Sequence, residues 1–207
     1  MIVAVDGPAA SGKGTLARAI ARHYGIPHLD TGLLYRAVGV GVIRAGGDPG
    51  SEPDALAACG FDDALLEDPE LKAEVAGRAA SIVSAHPAVR EALFARQRAF
   101  AGQEGGAVLD GRDIGTVIAP RASAKLFVTA APEVRAGRRH AELTRLGLST
   151  PLEVVLADIR ARDARDSGRS EAPLRRADDA MLLDTSDLDI ATAIAAAIAL
   201  VEKAKAA

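Results

Sequence analysis

The chain contains no tryptophan and no asparagine, and aromatic residues make up only 3% of its 207 positions. It has a single cysteine, Cys59, which excludes a disulfide framework and any centre built from several thiolates. Its four histidines (His23, His28, His86 and His140) show neither HxH nor HxxxH spacing, which argues against a zinc site. No apolar run approaches the ~18–20 residues that a membrane span requires. The apolar tail over 190–201 is broken by Thr192 and rich in alanine, so it reads as a buried helix. The first six residues carry no basic cluster, and a soluble cytoplasmic protein is expected. A basic excess is missing as well: 25 Lys+Arg stand against 28 Asp+Glu, a net charge of −3, which argues against a general nucleic-acid binder. Lysine is scarce, with five against 20 arginines, and Lys13 is the only one in the first 71 residues.

What is present is a sequence rich enough in apolar residues, 49%, to bury one core. Short β-branched or leucine-rich runs at 2–5, 28–29, 107–109, 126–128 and 180–183 read as strands, four of them followed by an aspartate (Asp6, Asp30, Asp110, Asp184). Helical spacing follows at 15–24, 31–44, 87–100, 132–145, 151–166 and 188–203, and residues 51–86 read as mostly helical. Strands alternating with helices predict an α/β fold, a parallel sheet covered on both faces.

The segment between the first strand and first helix is Gly7, Pro8, Ala9, Ala10, Ser11, Gly12, Lys13, Gly14 and Thr15. It matches the phosphate-binding loop G-x-x-x-x-G-K-[ST] except that Gly14 holds the last position and the hydroxyl follows at Thr15. Glycines let successive N–H groups curl around an anion. The helix adds its positive N-terminal end, and Lys13 reaches the outer phosphates as a mobile charge. A nucleoside triphosphate, ATP, is the expected ligand of these nine residues. A chain without asparagine cannot carry the Asn-Lys-x-Asp base reader of a GTPase switch. Asp110, at a strand end, stands where such proteins place the acid that helps hold Mg²⁺. Asp6, also at a strand end, reads as structural, as a partner for Lys13 for example; His28 and Cys59 read as structural too.

Four further segments, in order, are Leu29-Asp30-Thr31-Gly32-Leu33-Leu34-Tyr35-Arg36; Ser81 with Val89-Arg90-Glu91-Ala92-Leu93; Asp110-Gly111-Arg112-Asp113-Ile114-Gly115-Thr116; and Arg162-Asp163-Ala164-Arg165-Asp166 with Arg169. Together with the G-K-G-T loop they resemble the bacterial cytidylate kinases, a family of P-loop nucleoside monophosphate kinases. The resemblance implies a three-layer P-loop kinase fold with a five-stranded parallel sheet covered by helices. It implies a core over about 1–30 and 101–207, a small helical subdomain for the acceptor nucleotide over about 31–100, and a short lid over about 155–170. It implies that Arg36, Arg112 and Arg169 hold the acceptor phosphate, that Ser81, Arg90 and Asp113 read cytosine, and that Thr31, Arg162 and Asp166 hold the sugar. Lys13, Arg112, Arg162 and Arg165 are then the catalytic cations, and Thr15 and Asp110 the residues facing Mg²⁺. The implied partners are the small molecules ATP and CMP or dCMP, without nucleic acid or membrane, for a monomeric enzyme.

The long bacterial members carry a β-rich insert where this chain offers a shorter stretch, expected to be helical around 65–75. Without the resemblance, the Arg162–Arg169 region also reads as an exposed helix face with i,i+3 and i,i+4 pairs, and Arg112-Asp113 as a surface pair. Other small P-loop kinases (acting on UMP, AMP or a shikimate-type hydroxyl) and a non-catalytic ATP-binding regulator are the alternatives. Arg96, Arg98, Arg175 and Arg176 carry no argued role.

Overall fold

Valine, isoleucine and leucine in short runs suit a pleated surface buried on both faces. In the computed structural model, which describes residues 1–206, these runs form β1 (Ile2–Asp6), β2 (His28–Asp30), β3 (Ala107–Gly111), β4 (Ala124–Thr129) and β5 (Met181–Asp184). They make one five-stranded sheet in the order β2-β3-β1-β4-β5. β1 runs parallel to β3 and β4, and β4 parallel to β5; Asp6 lies opposite Gly111 on one side and Phe127 on the other. The carboxyl ends of these strands therefore share one edge of the sheet. Ligands of open α/β sheets sit beyond that edge.

The chain divides into two compact units, Met1–Leu29 with Gln103–Ala207, and Asp30–Gly102. In the first, α1 (Lys13–Tyr24), α6 (Pro132–Arg145), α7 (Leu152–Ser167) and α8 (Ile190–Lys205) accompany the sheet. Its main core joins Val3, Val5, Leu16, Ile20, Leu126, Val128, Ala197 and Val201, so α1 and α8 pack on the central strands. Proline plays different parts at the two later helices: Pro132 is a helical residue of α6, whereas Pro151, predicted to begin a helix, is the flanking N-cap of α7. No helix among the described residues is long and apolar enough to cross a membrane.

The second unit is helical: α2 (Thr31–Arg44), α3 (Glu52–Ala57), α4 (Glu74–Val83) and α5 (Pro87–Ala101). Asp30 caps α2, its carboxylate accepting from the Gly32 amide at 2.9 Å. α2 and α4 approach closely: a Cβ at Gly39 would stand 2.7 Å from that of Ala79. The stretch expected to be helical around 65–75 is instead two short 3₁₀ turns, Asp63–Glu67 and Pro69–Lys72. The cause is local. Asp62 and Asp68 accept from the amides two residues on, at 2.8 Å each, which restarts the chain twice. Leu71 then plugs the core beside Ala37, Val40 and Ala76.

Candidate active site

The loop between β1 and α1 has the backbone that an anion cradle needs. A Cβ at Gly7 would fall 2.0 Å from the Val128 carbonyl oxygen, so only glycine fits there. Gly12 sits at φ 88° and Ala10 at φ 58°, both left-handed. Such alternation turns successive amides the same way. α1 begins with no side-chain cap and no acid in its first turn, so no side chain of that turn neutralises the helix's positive end. Lys13 is the first residue of that helix.

Asp110, the last residue but one of β3, is almost wholly buried, 2% exposed. A Cβ at Gly14 would stand 3.6 Å from its Oδ2, which places the carboxylate in contact range of the start of α1. His28 Nε2 lies 2.7 Å from Asp110 Oδ1 on the other side. No cluster of three or more His, Cys, Asp or Glu among the described residues forms a protein-only metal cage.

Beyond β3 the chain turns through Arg112 and Asp113 into a single π-helical turn, Ile114–Ile118. Arg112 Nε donates to Asp166 Oδ2 at 2.8 Å, and Arg169 Nη2 donates to Asp166 Oδ1 at 2.6 Å. Asp166 thus gathers two arginines that are 54 and three residues away from it in sequence. Burial pushes the Asp166 carboxyl up, but the charges of Arg112, Arg169 and Arg162 outweigh it and hold the group below the usual carboxylate range. The segment from Arg162 to Arg169 is therefore more than an exposed helix face. Asp166 and Arg169 face Arg112, Arg165 is exposed, and Arg162 is partly buried. Asp113 is buried at 5% exposure.

The remaining predicted residues lie in the second unit. Thr31 and Ser81 are buried, the first opening α2 and the second on α4. Arg36 donates through Nη1 to the Leu71 carbonyl at 2.7 Å, and Gly77 gives it space, a Cβ there falling 3.2 Å from Nη2. Arg90 reaches the Tyr35 hydroxyl oxygen at 3.5 Å. In the first unit the structure brings Arg112 together with Asp166 and Arg169; in the second, Arg90 comes to Tyr35, a motif residue without an assigned role.

The sequence profile described as cytidylate kinase matches residues 3–203. A cytidylate kinase of Xanthobacter autotrophicus is 60% identical over 206 residues, covering 100% of this chain and 99% of that protein. Those of Caulobacter sp. and Rhodopseudomonas palustris are 57% and 55% identical, covering 99% and 100% of this chain and 95% and 98% of the relatives. The chain belongs to the cytidylate kinase family. Among solved structures, a Sinorhizobium meliloti gluconokinase has a similar fold, with TM-score 0.53 at 17% identity over 97% of this chain and 91% of that one. An uncharacterized Eubacterium ventriosum protein does too, with TM-score 0.56 at 16% identity over 98% of both chains.

Several residues of this cytidylate kinase family member escaped the sequence reading. Arg135, only 3% exposed, donates to the Ala9 carbonyl of the phosphate loop at 3.2 Å and to the Ala130 carbonyl at 2.8 Å. Its fork also grips both oxygens of Asp163 at 3.0 and 2.6 Å. Arg138 donates to the Thr185 hydroxyl and carbonyl at 3.0 and 2.6 Å, and that hydroxyl donates to Ser11. Asp6 accepts two backbone amides, from Ile114 and Gly115. The arginine spacing on α6 reads as a solvated helix face, so no local signal marks Arg135; Asp6 and His28 were visible, but their partners lie about a hundred residues away.

Proposed function

We propose that this chain transfers the γ-phosphoryl group of ATP to the 5′-phosphate of CMP or dCMP, giving ADP and CDP or dCDP. The observation that carries this reading is the full-length likeness to proteins named cytidylate kinase, 54–60% identical. The site geometry supports it. The acceptor is already an anion, so no general base is required; the barrier lies in bringing two polyanions into line. Lys13, Arg112, Arg162 and Arg165 offset that repulsion and the charge of the group in transfer. Gly7, Pro8, Ala9, Ala10, Ser11, Gly12, Gly14 and Thr15 with Lys13 cradle the ATP phosphates.

Arg36, Arg112 and Arg169 take the acceptor phosphate, and Asp166 holds the last two at spacings that suit a forked grip. Thr31, Arg162 and Asp166 take the sugar. Ser81, Arg90 and Asp113 read the base, with the buried Asp113 accepting from the exocyclic amino group of cytosine. Uracil would set a carbonyl against that carboxylate, an unpaired buried contact costing about 1–3 kcal/mol. The lid, about 155–170, excludes water that would otherwise accept the phosphoryl group.

The carboxylate of Asp110, beside Gly14, and the hydroxyl of Thr15 are hard oxygen donors that fit Mg²⁺, which binds through one or two carboxylates plus substrate phosphates. When bound, Mg²⁺ supplies charge neutralisation at the phosphate oxygens.

A coupled assay with ATP and, separately, CMP, dCMP, UMP, AMP and shikimate tests the reading. CMP and dCMP are expected to be the best acceptors, and Lys13→Ala to abolish turnover. Best activity with AMP or shikimate would overturn it, as would ATP hydrolysis indifferent to CMP.

A further inference from the structure

We propose that Asp6 is a positioning residue for acceptor recognition, its carboxylate fixing the turn that carries Arg112 and Asp113 and so setting how tightly CMP is held and how well it is told from UMP. The inference rests on the acceptor reading above and adds a residue outside every segment assigned to it.

Asp6 is 5% exposed at the end of β1. Its Oδ1 accepts the Ile114 amide and its Oδ2 the Gly115 amide, both at 2.8 Å. These are the two amides that directly follow Arg112 and Asp113. On the far side, the Asp113 carbonyl accepts from the Val117 and Ile118 amides at 2.8 and 3.2 Å and from the Thr116 hydroxyl at 3.3 Å. On the near side, the Gly111 carbonyl accepts from the Gly7 amide at 3.3 Å. The segment is thus held at three points, two of them supplied by the consecutive residues Asp6 and Gly7. Gly7 also opens the phosphate loop, so the donor and acceptor loops of this unit share one anchor.

The chemistry at Asp6 is specific. Two amides aimed at one side chain need two acceptor oxygens, and only a carboxylate offers both with no competing donor. Asparagine would turn an NH₂ group toward one of the amides. The charge comes at a cost, for burial pushes the Asp6 carboxyl up to about 7 despite both amide bonds, with Asp113 adding to the rise and Arg112 opposing it. A purely space-filling role would be met more cheaply by an apolar side chain. Gly115 completes the fit: a Cβ there would come within 3.3 Å of Asp6 Oδ2 and 3.1 Å of Lys125 Cδ. A turn released from this clamp displaces the two side chains that meet the acceptor phosphate and base, and small displacements of such groups carry large kinetic penalties.

Steady-state kinetics of Asp6→Asn against wild type, with CMP and UMP as acceptors and ATP varied, test the role. The expected result is a KM for CMP raised about tenfold, a KM for ATP changed by less than about twofold, and a CMP-over-UMP ratio of kcat/KM reduced about tenfold. Gly115→Ala, which keeps Asp6 but crowds the clamp, is expected to move the same two quantities by about threefold, and decides the matter should Asp6→Asn fail to fold. Equal rises in both KM values, or an unchanged CMP-over-UMP ratio in a folded variant, would overturn the inference while leaving the functional reading intact. A wild-type enzyme that does not prefer CMP to UMP would overturn both.

Discussion

Asp6 and Asp166 are both buried carboxylates of the first unit, yet they titrate in opposite directions. Burial is the largest influence on each. At Asp6 it prevails over two amide hydrogen bonds, and the pKa rises from 3.8 to about 7. At Asp166 three arginines prevail over it, and the pKa falls below 3.8. The consequences for stability have opposite signs. Asp166, with its folded value depressed, contributes stability that is present above pH 3.8 and lost as pH falls through the folded value. Asp6, with its folded value raised, leaves the folded chain holding more protons than the unfolded one between pH 3.8 and about 7, so its contribution declines as pH climbs through that window. Asparagine cannot ionise. Whatever constant offset Asp6→Asn introduces, the difference in unfolding free energy from wild type should move toward the variant between about pH 4 and 7, by several kcal/mol, and then level off. Urea unfolding of both proteins from pH 4 to 8 checks this; a difference independent of pH would show Asp6 ionised throughout.

At the scale of elements, Arg135 ties three pieces of the first unit together: the end of β4, the phosphate loop and α7. Its guanidinium is nearly solvent-free while Asp163 keeps 26% of its side-chain surface exposed, so removing the acid strands a charge. Asp163→Ala is expected to cost about 3–5 kcal/mol in unfolding free energy, and a cycle with Arg135→Met to show a coupling of about 1–3 kcal/mol. Additive single effects would mean that the pair contributes no more than its separate packing.

That link also marks where the sequence stops being readable. Strand runs, the phosphate loop and α2 were legible because their signals are local: β-branched residues, glycines at fixed offsets, and an aspartate cap at Asp30. The donor-site contacts of Arg135 were not, since an arginine three residues before another on a helix looks like a solvated face whether or not an aspartate waits 28 residues on. The 3₁₀ turns at 63–72 were misread for a related reason. Composition there favours helix, but Asp62, Asp68 and Pro69 each restart the backbone. His28 looked like a filler of a short strand, and only the sheet order brings it to Asp110.

Over the whole molecule, many of the arginines are paired with acids. Arg44 meets Asp68 and Glu70, Arg96 meets Asp63, Arg112 and Arg169 share Asp166, Arg135 grips Asp163, and Arg160 pairs with Glu133. Two of these paired cations, Arg112 and Arg169, are among those proposed for the acceptor phosphate, with Asp166 holding both. The residues proposed for the acceptor come from both units, Arg112, Asp113, Arg162, Asp166 and Arg169 from the first and Thr31, Arg36, Ser81 and Arg90 from the second, whereas the phosphate loop and Asp110 belong to the first alone. Substitutions of the second unit's proposed residues should therefore act on the acceptor and spare ATP. Arg90 donates to the Tyr35 hydroxyl within the second unit. Arg90→Ala is expected to raise the KM for CMP by about tenfold or more, the loss of a charged hydrogen bond, with the KM for ATP within about twofold of wild type. Varying each substrate at saturating levels of the other measures the split; a comparable rise in the KM for ATP would show that the base-reading residues of the second unit do not act on the acceptor alone.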